Sequence, residues 1–354
     1  MKKSSKKLIV ALLCAAAAVL IGLVVYDGIK QSREFSSSSA MMNTAVSADI
    51  EGKDAKKVGK AVFDCISELE NKLLSRHIET SAVNEINDAA GQSVKITLFS
   101  SSANGKMNDP EKKMEDILSK CEELRKSSGG AFAPLLGRLS DLWGFGTGNE
   151  RVPDKDEINS ALNGTGSAIE INENGIKIPS GTVLDLGSVG KGIACDEVRG
   201  VLENSKIKRA VVSVGGSILL YGEGEKFTVG IRDPFSESST ESFAVLTLPA
   251  TCVSTSGSYE RYFDLDGVRY HHILDPKTGY PAESGLVRVT VVCSDGFMSD
   301  ALSTACFVLG YEKSLPLLEK YGAQAVFVFN DRSVRVTGSL ADSFKLEKDG
   351  FKLL

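Results

Sequence analysis

Asp300 and Thr304 lie four residues apart in the stretch Ser294 to Gly310, SDGFMSDALSTACFVLG. Polar residues at its start give way to Ala, Leu, Cys, Phe and Val, which predicts the beginning of a helix that enters the core. On such a helix the carboxylate and the hydroxyl share one face of the first turns. Two oxygens side by side suit a hard cation such as Mg2+, with carbonyl, water and phosphate oxygens in its remaining positions. The competing reading is a helix start whose polar groups simply face solvent.

Four further clusters carry chemistry. DLGSVGKG, residues 185 to 192, closes a strand, turns on glycines and opens a helix, so its backbone amides can hold phosphate while Lys191 supplies a mobile positive charge. Its spacing is neither that of the dinucleotide fingerprint nor that of the P-loop. VGGSILLYGEG, residues 214 to 224, is a second glycine-marked turn, and STSGSYERYF, residues 254 to 263, places hydroxyls, Ser256 among them, around Gly257. RYHHILDPKTGYP, residues 269 to 281, sets His271 and His272 before a turn in which Asp275, Pro276 and Gly279 have turn roles. In an extended segment the two histidines point to opposite faces, so one of them enters a given site. Glycine turns with hydroxyl, carboxylate and imidazole groups suit a phosphate-containing substrate with a metal.

The elements that must position these groups follow from periodicity. Helices are expected over Ala55 to Leu74, Ser81 to Ala90, from Asp109 to the Gly129-Gly130 stop, Asp154 to Leu162, Gly192 to Leu202, and Tyr311 to Tyr321, the last interrupted at Pro316. Strands are expected from Met42 through Ile50, and at 94–99, 167–171, 183–186, 209–214, 227–231, 243–248 and 286–292, with a hairpin over 325–336. AFAPLLGRLSDLWGFG, residues 131 to 146, is too broken for one element; it could wall a flat ligand or be a packed connection. Strands outnumber helices after residue 165, which predicts one α+β unit.

With 354 residues and a formal charge of -5, the chain can bury a sizeable core and carries no basic balance pointing to nucleic acid. Lys2, Lys3, Lys6 and Lys7 precede an apolar run from Leu8 to Tyr26. That predicts a signal-anchor over residues 1–30, a Ser-rich tether over 31–40 and an exported domain over 41–354. A cleaved signal peptide is the competitor; lipidation at Cys14 is disfavoured by the bulky Leu13 before it. The remaining cysteines are scattered without a zinc-ligand spacing.

From about Met42 to near residue 330 the sequence resembles the FAD:protein FMN transferases of the ApbE type. The resemblance is carried by ordered motifs: MNT, the LLS segment ending in Ile86-Asn87, SGGAF with LWGFG, DLGSVGKG, VVSVGGS, VGIRDPF, TSGSYERYF, HHILDPKTG and SDALSTA. It implies an ApbE-like fold of mixed and antiparallel sheets with packed helices, behind the membrane segment. It also implies a Mg2+-dependent, extracytoplasmic enzyme that moves the FMN half of FAD onto a Thr or Ser hydroxyl of a target protein and releases AMP. Its site would comprise Asp300, Thr304 and the Ser188 carbonyl at the metal. Met42, His77, Ala131, Phe132, Ala133, Asp185, Lys191, Ser256, Gly257, His272 and Ile273 would lie at FAD. His272, with Asp300 and Lys191, would do the chemistry, the histidine assisting the acceptor hydroxyl. Ala133 where the family usually has Asp, His77 in place of an aromatic residue, and Ser258 in place of Asp are departures that bear on FAD affinity or acceptor choice. No second flavin-carrying domain is visible, so the acceptor is another protein, expected to be a membrane or extracellular electron-transfer protein. An FAD pyrophosphatase and a non-catalytic FAD-binding protein are the alternatives.

Overall fold

Val46, Ala48 and Ile50 are buried while their neighbours face outward, the period of two that makes 44–52 a strand. The computed structural model describes residues 33–96 and 109–354. In chain order the strands are β1 (Glu34–Met41), β2 (Thr44–Gly52), β3 (Glu170–Asn172), β4 (Gly175–Lys177), β5 (Ile207–Val214), β6 (Ser217–Tyr221), β7 (Phe227–Arg232) and β8 (Ser242–Leu248). They continue with β9 (Thr251–Gly257), β10 (Tyr262–Leu265), β11 (Val268–His271), β12 (Leu286–Cys293), β13 (Gln324–Phe329), β14 (Ser333–Val336), β15 (Phe344–Leu346) and β16 (Lys352–Leu353). The helices are α1 (Ala55–Leu69), extended by a π-turn over Glu70–Leu74, α2 (Ala82–Asp88), α3 (Pro110–Ser127), α4 (Gly137–Trp143), α5 (Lys155–Leu162), α6 (Gly190–Glu203), α7 (Gly296–Leu309) and α8 (Tyr311–Lys320).

Nine strands form the main sheet in the order β1-β2-β5-β6-β9-β12-β13-β14-β16, antiparallel except for β14 with β16. One face carries the helices. Ala325 and Phe327 of β13, with Val289 and Val291 of β12, join α1, α3, α6 and α7 in the larger core. The other face carries Val326 and Val328, which meet Phe227, Phe243 and Leu246 of the three-stranded sheet β15-β8-β7 in a second core. A third, smaller cluster surrounds Trp143, Leu139 and Ile158.

The α+β expectation with mixed and antiparallel sheets holds. Its membrane segment does not: among the described residues no helix is long and apolar enough to cross a membrane. The 1–30 run on which that segment rested lies outside the described residues. Membrane placement, the extracytoplasmic location and membrane contact through an N-terminal segment therefore have no support in the structure. The expected 31–40 tether is also corrected. From Glu34 onward it is β1, paired residue by residue with β2 from Glu34 opposite Glu51 to Met41 opposite Thr44. Phe35 is the reason it docks, since its ring packs edge-on against Phe63 of α1 at 6.2 Å and fills the space that Gly59 leaves open.

Candidate active site

α7 is placed by its first turn. Asp295 caps it, accepting from Met298 N at 2.9 Å, and the Asp196 carboxylate of α6 accepts from Gly296 N and Phe297 N, both at 2.8 Å. Three otherwise orphaned amides thus meet anionic acceptors, which also suit the positive end of the helix. Burial pushes the Asp196 carboxyl above its ordinary pKa, and the two amide donors oppose that. Arg199 holds Asp196 at 2.8 Å and reaches back to the Ser294 carbonyl at 2.8 Å. The two helices approach so closely at Gly192 and Gly296 that a Cβ on Gly192 would lie 2.1 Å from the Gly296 carbonyl oxygen.

One turn into α7, Asp300 is 2% exposed. Its Oδ2 accepts from Gly192 N at 2.9 Å, and its Oδ1 lies 3.5 Å from Lys191 Nζ, which also donates to Gly187 O at 3.2 Å. Gly192 lies in the first turn of α6, where backbone N–H groups have no intrahelical partner, and Asp300 satisfies this one from the neighbouring helix. Thr304 Oγ1 is 3.2 Å from Ser256 Oγ, which is 2.8 Å from Ser303 Oγ. Behind them Ser254 bonds Ser299 at 2.7 Å and Ser217 at 3.0 Å. Ser256 and Thr304 are expected at the site, but the seam that joins them between β9 and α7 is not; its signal is Ser254 and Ser256 at strand spacing opposite Ser299 and Ser303 at helical spacing.

The Asp300 carboxylate, the Ser188 carbonyl and the Thr304 hydroxyl are oxygen donors of the kind that suits a hard cation retaining water and phosphate ligands. Among the described residues no group of three His, Cys, Asp or Glu side chains could hold a metal, so a site at Asp300 would rest on one carboxylate with neutral oxygens.

His272 follows the β10–β11 hairpin. Its backbone N–H donates to the Arg261 carbonyl at 3.0 Å, and its Nδ1 lies 3.2 Å from the same oxygen. Since a carbonyl only accepts, Nδ1 carries the proton and Nε2 keeps the lone pair. Burial first, then the Arg261 charge, hold the ring neutral, with a pKa pushed down to about 3; Lys191 contributes in the same direction. Arg261 also donates to the Asn43 carbonyl at 3.2 Å. That joins His272 to the β1–β2 turn, where Met42 and Asn43 both have positive φ, 52° and 54°. The Met42 methyl lies 3.4 Å from where a Gly190 Cβ would stand, at the head of α6. A hollow of about 680 Å³ opens over this turn, lined by residues 38–45 and Glu70. It shares Met42 with the site, but Asp300 is not in its wall.

Asp185 accepts from Gly187 N at 2.8 Å and meets Arg76 Nε at 3.2 Å, and its own N–H donates to the Pro134 carbonyl at 2.8 Å. His77 and the Ala131 to Ala133 segment are linked to the site through these contacts with their neighbours. His77 is exposed, and Ala131, Phe132 and Ala133 are buried, Phe132 within the larger core. Ser258 donates from its N–H to the Val287 carbonyl at 3.1 Å, and Gly257 leaves room for the Tyr259 ring. Ile273 is buried and accepts from Ala282 N at 2.9 Å. His271 points the other way, edge-on to Phe307 at 5.4 Å, with burial pushing its pKa down to about 4. Of the two readings of 131–146, Trp143 fits the packed connection: it is fully buried, its indole N–H donating to the Gly279 carbonyl at 2.8 Å.

The ApbE family model matches residues 42–327. A Treponema pallidum (strain Nichols) protein named FAD:protein FMN transferase is 31% identical over 352 residues, covering 93% of each chain. An Escherichia coli (strain K12) protein of the same name is 30% identical over 86% of this chain and 84% of its own. The crystal structure of the ApbE protein from Thermotoga maritima superposes with a TM-score of 0.76 at 28% identity, covering 88% of this chain and 99% of that one. The apo Pseudomonas stutzeri flavinyl transferase ApbE gives 0.73 at 27% identity, over 89% and 98%. The order of motifs, the sheet they build and these relatives agree: the chain belongs to the ApbE family and is an enzyme of its flavin-transferase type.

Proposed function

We propose that this enzyme transfers the FMN half of FAD to a Ser or Thr hydroxyl of an acceptor protein as a phosphoester, with Mg2+ held at Asp300, Thr304 and the Ser188 carbonyl. FAD:protein transfer of FMN is the activity for which its relatives are named. The observation that carries the finer reading is the buried Asp300 carboxylate, fixed by Gly192 N–H and faced by Lys191 at the head of α6.

The acceptor oxygen forms a bond to the FMN phosphorus, the bridging P–O bond of the pyrophosphate breaks, and AMP leaves with that oxygen. His272 Nε2 takes the hydroxyl proton; a neutral imidazole is the group able to do so near pH 7. Lys191 moves from Asp300 toward the phosphates and offsets their charge, and the amides that open α6 add donors on the same side. The bound cation would offset charge on the transferring phosphoryl group. Asp185, held by Arg76 and Gly187 N–H, orients the nucleotide.

The test supplies FAD and a Ser/Thr-bearing acceptor protein, with Mg2+ present or chelated, and reads acceptor mass and released nucleotide together. One FMN gained per acceptor with AMP released, lost on chelation and in Asp300→Ala, is expected. Free FMN and AMP with the acceptor unlabelled would replace this reading with a pyrophosphatase.

A further inference from the structure

The β10–β11 hairpin has one face that is finished and one that is not. Register places Tyr262 and Asp264 on the same face as His271 and Arg269. There Arg269 lies over the Tyr262 ring at 3.8 Å and pairs with Asp264 at 2.9 and 3.0 Å, so its charge and its aromatic surface are partnered. The opposite face carries Phe263 and Tyr270, then Leu265 and Val268. Phe263 and Tyr270 stack at 5.3 Å and cover Trp143, at 6.4 and 5.7 Å. Leu265 and Val268 project beyond that base and are 46% and 50% exposed. Asp266 and Gly267, with φ of 51° and 79°, form the tight turn that holds the tip.

Single exposed apolar residues need no explanation, but a concentration of them does. Of the seven large hydrophobic side chains exposed among the described residues, Leu265 and Val268 lie on this unfinished face and Tyr280 against its Trp143 base, while Tyr262 is covered on the other face. The arm is also continuous with the chemistry. It leaves at Arg261, whose carbonyl holds His272, and it returns directly into His272.

We infer that the Leu265–Val268 face is the docking surface for the acceptor protein, seating an apolar side chain that flanks the modified Ser or Thr. This rests on the transfer reading above, which requires a protein hydroxyl at His272 Nε2. Val268 is four residues from His272 on an extended strand, a reach of about 13 Å at roughly 3.3 Å per residue. An extended acceptor segment therefore presents its apolar residue about three to five positions from the hydroxyl. The platform of stacked rings beneath keeps the arm rigid, so docking at its tip fixes the hydroxyl near the histidine with little loss of freedom.

The test uses a library of 15-residue peptides with one central Thr and randomised flanks, FAD and Mg2+. The full chain is compared with Leu265→Ser/Val268→Ser, which touches none of the groups assigned to the reaction. Expected is enrichment of labelled peptides with Leu, Ile, Val or Phe three to five positions from Thr. In the double variant that preference is lost and KM for the enriched peptides rises at least tenfold, while AMP release from FAD and FAD affinity stay unchanged. Labelling without apolar preference, equal labelling by the variant, or AMP release with no peptide labelled by the wild type overturns the proposal. So does weakened FAD binding, which would give the face to FAD, or a dimer that becomes a monomer, which would give it to a second copy. Absence of any FAD cleavage by the wild type would instead sink the transfer reading on which it rests.

Discussion

His272 and its own backbone amide share the Arg261 carbonyl, and that sharing determines which ring nitrogen can act. With Nδ1 as the donor, Nε2 is the base, and the low folded pKa of about 3 keeps it available well below neutral pH. Free-enzyme kcat/KM should therefore show no acid limb at the usual histidine pKa of about 6.5. Anionic FAD favours the charged ring, so the limb in kcat should lie at higher pH than the limb in kcat/KM. A pH–rate series checks both, and a limb in kcat/KM near 6.5 would remove His272 as the base. His272→Gln should lower transfer by roughly 10²–10⁴-fold with FAD affinity retained, read by single-turnover labelling and fluorescence titration. At this scale the sequence was partly legible. The paired histidines and the Asp300–Thr304 spacing marked the place, but Asp196, Arg261 and the serine seam act through folded neighbours far apart in the chain.

Helix α7 holds Asp300 because its first turn is clamped from another helix, and that clamp can be removed alone. Asp196→Ala leaves Gly296 N–H and Phe297 N–H without their acceptor, a cost of about 1–3 kcal/mol for groups that stay buried. The expected result is a lower thermal midpoint together with weaker Mn2+ binding at Asp300, followed by electron paramagnetic resonance; unchanged binding would mean that Asp300 is positioned without the clamp. The ends of α3, α5 and α7 were readable because Asp109, Asp154 and Asp295 are caps, and each side chain accepts from the first-turn backbone. Pro316 was expected to interrupt its helix, yet α8 runs through it. Both Pro316 and Glu312 are exposed, so water can serve the carbonyl that proline leaves unbonded. The β10–β11 hairpin was missed although Asp266-Gly267 between Phe263, Leu265, Val268 and Tyr270 is a strong two-residue turn signal. The four consecutive serines of β1 have little strand preference and suggest a tether, but the half-buried Phe35 and the pairing with β2 outweigh them.

At the scale of the whole molecule, both hairpin histidines enter the fold neutral. Their folded pKa values, about 4 for His271 and about 3 for His272, lie below the ordinary value, so the unfolded chain binds more protons as pH falls below about 6.5. Stability should therefore fall from pH 7 toward pH 4, by at most about 2.7 kcal/mol per pH unit when both contribute, while the raised carboxyl of Asp196 opposes the trend. Denaturant midpoints across that range test it, and His271→Gln should flatten the slope; an unchanged slope would place the acid sensitivity elsewhere. The two-core architecture was less legible than the elements. β12 and β13 are covered on both faces, which replaces alternation by near-continuous apolar runs, LVRVTVVC and QAVFVF, and such runs do not tell which residue faces which core. β7, β8 and β15 meet only through long-range register, with β15 about a hundred residues beyond β8.

The crossing of α6 and α7 has a consequence for how this enzyme can change over generations. A methyl group at Gly192 would strike the Gly296 carbonyl, and one at Gly296 would lie 2.5 Å from the Gly192 carbonyl. Each clash is with backbone, and no residue is smaller than glycine, so neither substitution can be compensated by shrinking its partner. Drift at either position must first move a helix that carries the Asp300 carboxylate or the amide that binds it. These two positions have no neutral path between them, and a mutational library that spares both will spend its diversity where the fold can absorb it.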